Sequence, residues 1–143
     1  MILKMSGATQ AQVPPTATVL EAVEAMSKGR TGASVIVEHG KLKGMFTERD
    51  LMLRVVLKGL DPAKTPVREV ATTNLITAVR KTTAAQALRT MVEKHIRHLP
   101  ILDDQGTLLG VLSVRKLLQA RIEELTQQLD SLEAYMGVDG PGG

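Results

Sequence analysis

Apolar positions recur along this chain in two matching blocks. In Thr18-Val19-Leu20-Glu21-Ala22-Val23-Glu24-Ala25-Met26, the residues Val19, Ala22, Val23 and Met26 stand at i, i+3, i+4 and i+7. Ala84, Ala87, Leu88 and Met91 repeat that spacing within Thr83-Ala84-Ala85-Gln86-Ala87-Leu88-Arg89-Thr90-Met91. The pattern predicts two amphipathic helices, each turning one apolar stripe to a core. Ala22 falls over Ala87 and Met26 over Met91 at an offset of about 65 residues, so the chain is an internal repeat.

Each helix is followed by a short β-prone run, at 33–37 and 98–102, closed by turn chemistry at His39-Gly40-Lys41 and Asp103-Asp104-Gln105-Gly106. Returning strands at 42–46 and 107–112 complete two hairpins. They lead into second helices starting near Thr47 and Ser113, whose hydroxyls can accept from an otherwise unpaired N–H of the first turn. Each unit is therefore strand, helix, strand, strand, helix. A glycine and two prolines at 59–66 stop a helix and form a linker, and 67–70 adds one helical turn. A half of this size buries too little apolar surface to stand alone. The expected fold is α+β, with the repeats packed sheet to sheet about a pseudo-two-fold axis. Residues 1–66 form the first repeat, 67–122 the second, and 123–143 a C-terminal helix and glycine-rich tail.

Within that extension, Leu118, Ile122, Leu125, Leu129, Leu132 and Met136 keep the alternating four-three spacing of a heptad seam. Glu123, Glu124, Gln127, Gln128 and Asp130 fill the other positions, and Gly137 with Gly140-Pro141-Gly142-Gly143 ends the helix. Such a stripe packs back on its own domain, joins two subunits or docks on a partner. Contact between two copies is the expectation, since an exposed stripe of this length is a liability.

Composition narrows the function classes. The chain is 43% hydrophobic and 23% charged, ordinary for a folded protein, and no apolar run approaches the roughly 20 residues of a membrane span. Residues 1–6 are too short an apolar stretch for a signal peptide, and without cysteine there are no disulfides and no thiol chemistry. The cytoplasm is the expected compartment. A net charge of +3 is scattered, and Phe46 and Tyr135 are the only aromatic residues, which leaves single-stranded nucleic acid almost nothing to stack on. Nucleic-acid binding would need Arg54, Lys58 and Arg80 to share a contiguous basic face. His95 and His98 lie at a helix-to-strand junction with no third ligand nearby, so no metal site is expected. No phosphate loop and no nucleophile-base pair marks an enzyme.

The segment Gly44-Met45-Phe46-Thr47-Glu48-Arg49-Asp50 follows glycine, apolar, any, Thr or Ser, any two, Asp, and Ile96-Arg97-His98-Leu99-Pro100-Ile101 lies at the other strand junction. Both motifs, at these places in the repeat, resemble the CBS domain, and two in tandem resemble a Bateman module, over nearly the whole chain. The resemblance implies a non-catalytic regulatory module with no required cofactor. It also implies an adenosine-containing regulatory ligand (AMP, ADP, ATP, NAD or S-adenosylmethionine) between the repeats, a homodimer, and a separate regulated protein. The chemistry of the residues agrees: an aspartate can accept from both ribose hydroxyls, and the Thr47 hydroxyl and open helix N–H groups can meet phosphate. Met45 with Ile76, Thr77 and Ala78 is placed by the resemblance around adenine, and Arg97 and His98, with Pro100 in the same segment, at the phosphates.

The second repeat departs from this pattern. In Gly110-Val111-Leu112-Ser113-Val114-Arg115-Lys116, lysine stands where the ribose aspartate is expected, and lysine accepts no hydrogen bond. Thr31-Gly32-Ala33-Ser34 likewise has no counterpart of Arg97-His98. Both losses fall on one cleft, so a single adenosine site built on Asp50 is expected. Asp50 and Glu48 are also favoured in a first helical turn by the macrodipole alone. Arg49 is either a solvated side chain or a phosphate or dimer contact. The competing class is an assembly module with a vestigial cleft.

Overall fold

The computed structural model describes residues 11–136; the readings made of residues 1–6 and of the glycines from Gly137 onward lie outside them. The first repeat comprises β1 (Ala11–Val13), α1 (Val19–Gly29), β2 (Ala33–Glu38), β3 (Lys41–Thr47) and α2. In α2 an α-helical turn, Glu48–Asp50, continues as a π-helical stretch, Leu51–Val56. A 3-10 turn, Val67–Glu69, precedes β4 (Ala78–Val79), α3 (Ala84–Lys94), β5 (His98–Leu102), β6 (Leu108–Ser113) and α4 (Val114–Met136). The expected order of elements is therefore present in both halves, and α4 runs unbroken for 23 residues through 122 and 123.

The repetition extends to details of the backbone. Thr18 and Thr83 each cap their helix by accepting from the amide three residues on, and Glu21 and Gln86 answer by accepting from the Thr amide. Arg30 and His95 each end the helix in left-handed conformation, φ 51° and 55°. Thr31 and Ile96 then donate back to the carbonyls of Met26 and Met91, closing the same terminal turn twice. Each sheet has three strands, the first parallel to the middle one and the hairpin antiparallel. The register shift in each hairpin also matches, between Ile36 and Val37 and between Ile101 and Leu102.

Alternation along the strands builds three cores. Ile36 and Phe46 face α1, packing with Val19, Ala22, Met26, Val55 and Val67. Leu99, Ile101 and Leu112 pack with Ala84, Ala87, Met91 and Leu117 beneath α3 and α4. The opposite faces of the two sheets meet through Ala33, Val35, Met45 and Val111. At the hairpin ends, Leu108 N–H donates to the Gly40 carbonyl (3.0 Å), so backbone pairing as well as apolar contact joins the halves.

Among the described residues, two helix faces remain uncovered. The heptad seam does not pack back on its own domain: Leu117 is 1% exposed, whereas Leu118, Ile122, Leu125, Leu129, Leu132 and Met136 are 44–62% exposed. On α2, Val55 is buried while Met52, Val56 and Leu57 face outward.

Candidate functional site

The strand that carries Met45 and Thr47 ends where its helix must begin, and Asp50 stabilises that junction. The Thr47 hydroxyl accepts from the Asp50 amide (3.2 Å), and Asp50 Oδ2 accepts from the Thr47 amide (3.1 Å) and hydroxyl (3.2 Å). Asp50 is 7% exposed, and Ser34 is the other polar residue buried to this degree among the described residues. Its second oxygen, Oδ1, accepts from the Thr72 hydroxyl at 3.2 Å and lies 3.6 Å from Arg54 Nε. Arg54 also donates from Nη1 to the Ala71 carbonyl (3.2 Å). Thr72 is fixed in turn by two main-chain bonds with Met45, 2.9 Å in each direction. A carboxylate with this many donors around it is held in one orientation.

The opposite wall comes from the second repeat. His98 pairs with Ser113 and Pro100 with Val111 across β5 and β6. Residues directly opposite share a sheet face, so His98 and Pro100 lie on the face that Val111 presents to the first repeat. Ala33 pairs with Thr47 and Val35 with Met45, which puts these four on the facing surface. Met45, Thr47, His98 and Pro100 are thus brought to the two facing sheets. Met45 is buried among Ala33, Val35 and Val111, and Pro100 is buried as well. Arg97 is exposed beside His98, while Ile76 and Ala78 are half-buried against the second core and Thr77 is exposed.

Burial holds the His98 imidazole below its usual pKa; the Glu48 carboxylate opposes this and the Arg97 charge adds to it. Glu48, from the first helical turn of the other repeat, therefore acts directly on this histidine. Its amide donates to the Gly32 carbonyl (3.0 Å), and its side chain lies where a Cβ on Gly32 would sit. Neither the field of Glu48 at His98 nor the contact of Thr72 with Asp50 follows from periodicity. Both join segments that are remote in sequence.

The matching strand-to-helix junction of the second repeat keeps the same cap bond and has different chemistry. Ser113 accepts from the Lys116 amide (3.2 Å), as Thr47 does from Asp50. Lys116 has no acceptor to return to the strand end, and Gly32 and Ala33 stand where the other cleft has Arg97 and His98. Among the described residues no three His, Asp or Glu side chains gather as metal ligands, and no helix is long and apolar enough to cross a membrane.

Comparison with known proteins places this geometry among similar molecules. The family model for the CBS domain matches residues 11–57 and 67–123. The CBS domain-containing protein YhcV of Bacillus subtilis is 39% identical over 107 residues, 75% of each chain. The mitochondrial CBS domain-containing protein CBSX3 of Arabidopsis thaliana is 32% identical over 83% of this chain, which spans 60% of that protein's length. Among solved structures, the CBS domain protein PAE2072 from Pyrobaculum aerophilum, complexed with AMP, superposes with a TM-score of 0.74 at 29% identity, covering 86% of this chain and 95% of that one.

Proposed function

The chain belongs to the CBS-domain family, and from that premise we propose that it senses an adenosine-containing ligand in the cleft shared by Asp50 and His98. A CBS pair is a regulatory module; the finer reading is that AMP, ADP, ATP, NAD or S-adenosylmethionine binds between the repeats and that the change in geometry passes to a partner protein. The observation that carries it is the buried carboxylate of Asp50 in the first turn of α2, bonded to Thr47, whose sheet face meets the face of the second repeat that bears His98. The AMP complex of the Pyrobaculum protein supports the ligand class.

In this reading Asp50 accepts from the vicinal ribose hydroxyls, and Thr47 and the Arg97-His98 pair meet the phosphate with charge-assisted hydrogen bonds. Met45 and Pro100 with Ile76, Thr77 and Ala78 bound the adenine. The protein catalyses nothing itself and works in the cytoplasm as a homodimer. The uncovered seam of α4 and the outward face of α2 support the dimer, because a second copy removes both from water. Ligand binding becomes a signal only through different affinities for two arrangements of the repeats or subunits.

Calorimetric titration of nucleotide-stripped protein with AMP, ATP, NAD and S-adenosylmethionine tests the reading. Saturable binding of one of them, lost in Asp50→Asn, is expected. A chain that binds none of the four is an assembly module with a vestigial cleft, the second reading, which the missing aspartate in the second repeat favours.

A further inference from the structure

Both carboxylate oxygens of Asp50 are engaged by the chain itself. An ionised carboxylate offers about four lone-pair sites. Oδ2 receives the Thr47 amide and hydroxyl at 3.1 and 3.2 Å; Oδ1 receives the Thr72 hydroxyl at 3.2 Å and faces Arg54 Nε at 3.6 Å. The Thr72 hydroxyl also lies 3.4 Å from Oδ2, so it spans the edge by which a carboxylate grips a diol. With Asp50 only 7% exposed, the remaining approaches are closed by protein.

The two contacts on Oδ1 come from different places. Arg54 is one helical turn along α2, and Thr72 belongs to the segment that leads from the first repeat to β4. Arg54 reaches that same segment through the Ala71 carbonyl at 3.2 Å. The site carboxylate, the helix after it and the connection between the repeats are thus tied at one point.

From this geometry we infer that Thr72 and Arg54 are built-in competitors of the ligand, occupying the face of Asp50 that a ribose diol must take. The inference rests on the proposed adenosine site and adds its regulation. A bound diol donates two hydrogen bonds to Asp50, one of which takes the place of Thr72, while Arg54 swings from Oδ1. The main-chain pair between Met45 and Thr72 need not break, so the segment stays docked while its side-chain tie to the site is released. The affinity of the site is set by this exchange and not by the ligand contacts alone, and each binding event frees the connection between the repeats from Asp50.

The test compares AMP binding by the wild-type chain, Thr72→Val, Thr72→Ser and Arg54→Gln by calorimetry, with thermal melting of the same four proteins. Valine keeps the shape of threonine and cannot donate, so Thr72→Val should melt lower and bind AMP about tenfold more tightly, the scale of one hydrogen bond to a charged group. Thr72→Ser, which restores the donor, should return both readings towards wild type, and Arg54→Gln should tighten binding severalfold. Wild-type binding with equal or weaker affinity in Thr72→Val overturns the competitor role and leaves the nucleotide site standing. Absence of binding in all four proteins with AMP and equally with ATP, NAD and S-adenosylmethionine removes both, and binding that appears only in Thr72→Val supports the inference directly.

Discussion

The amide of Val114 donates to the carbonyl of Arg97 at 2.8 Å, and this bond repeats, one repeat later, the one from Glu48 to Gly32 at 3.0 Å. The main chain therefore builds two equivalent junctions between a strand start and a helix start. The side chains differ at every position that matters for an anionic nucleotide: Asp50 against Lys116, Arg97 against Gly32, His98 against Ala33. Two like backbone junctions carry unequal side-chain chemistry.

A single substitution should not restore the second cleft. Lys116→Asp supplies a carboxylate at that helix start, yet the facing wall still lacks the cations that would hold a phosphate. Equilibrium dialysis of this variant with AMP is expected to give one ligand per chain, as for wild type. Two per chain would show that the aspartate alone decides occupancy.

Protonation of His98 should couple ligand and stability in opposite senses. Burial lowers its pKa in the folded chain, so the native state binds fewer protons there than the unfolded one. The contribution of this group is present above about pH 6.5 and is lost as pH falls through the lowered folded value. His98→Gln should flatten the acid limb of urea-midpoint against pH. A bound phosphate draws the proton back, so AMP affinity in wild type should rise as pH falls from about 7.5 to about 6 and should rise less in His98→Gln. Glu48 and Arg97 are the charges that act on His98.

Close approach at Gly44 gives a prediction of stability. A Cβ there would stand 3.2 Å from the Thr72 carbonyl and 3.5 Å from Ile36 Cδ1. The carbonyl cannot yield easily, because Thr72 is held by Met45 through both its amide and its carbonyl at 2.9 Å. Gly44→Ala should cost about 1–3 kcal/mol in denaturant unfolding, the range for overpacking. An unchanged midpoint would mean that the Ala71-Thr72-Thr73 segment shifts freely.

How much of this was legible beforehand depends on range in sequence. Both helices, both hairpins and the seam of α4 follow from periodicity and turn residues within a window of a few residues. The helix starts at Thr47 and Ser113 follow from N-cap chemistry. The engagement of Asp50 by Thr72, 22 residues away, was not legible, since it arises only when the connecting segment pairs with Met45. The field of Glu48 at His98 likewise needs the two repeats assembled. The π-helical stretch after Asp50 was hidden because apolar residues at 51, 52, 53, 55, 56 and 57 leave no single stripe to measure a period from.

The uncovered seam predicts the oligomeric state. Light scattering on the purified chain should give twice its 15.4 kDa mass. The pair Leu125→Asp and Leu129→Asp, two exposed seam positions, should shift it to the monomer with helix content largely kept. A wild-type monomer at micromolar concentration would remove α4 as a subunit contact.

A crystal structure of the chain grown with AMP decides whether it holds one adenosine site, on Asp50. One molecule per chain is predicted, with its ribose hydroxyls on the Asp50 carboxylate and its phosphate at Arg97 and His98. AMP seated in the Ser113–Lys116 cleft, or equally in both clefts, would contradict it.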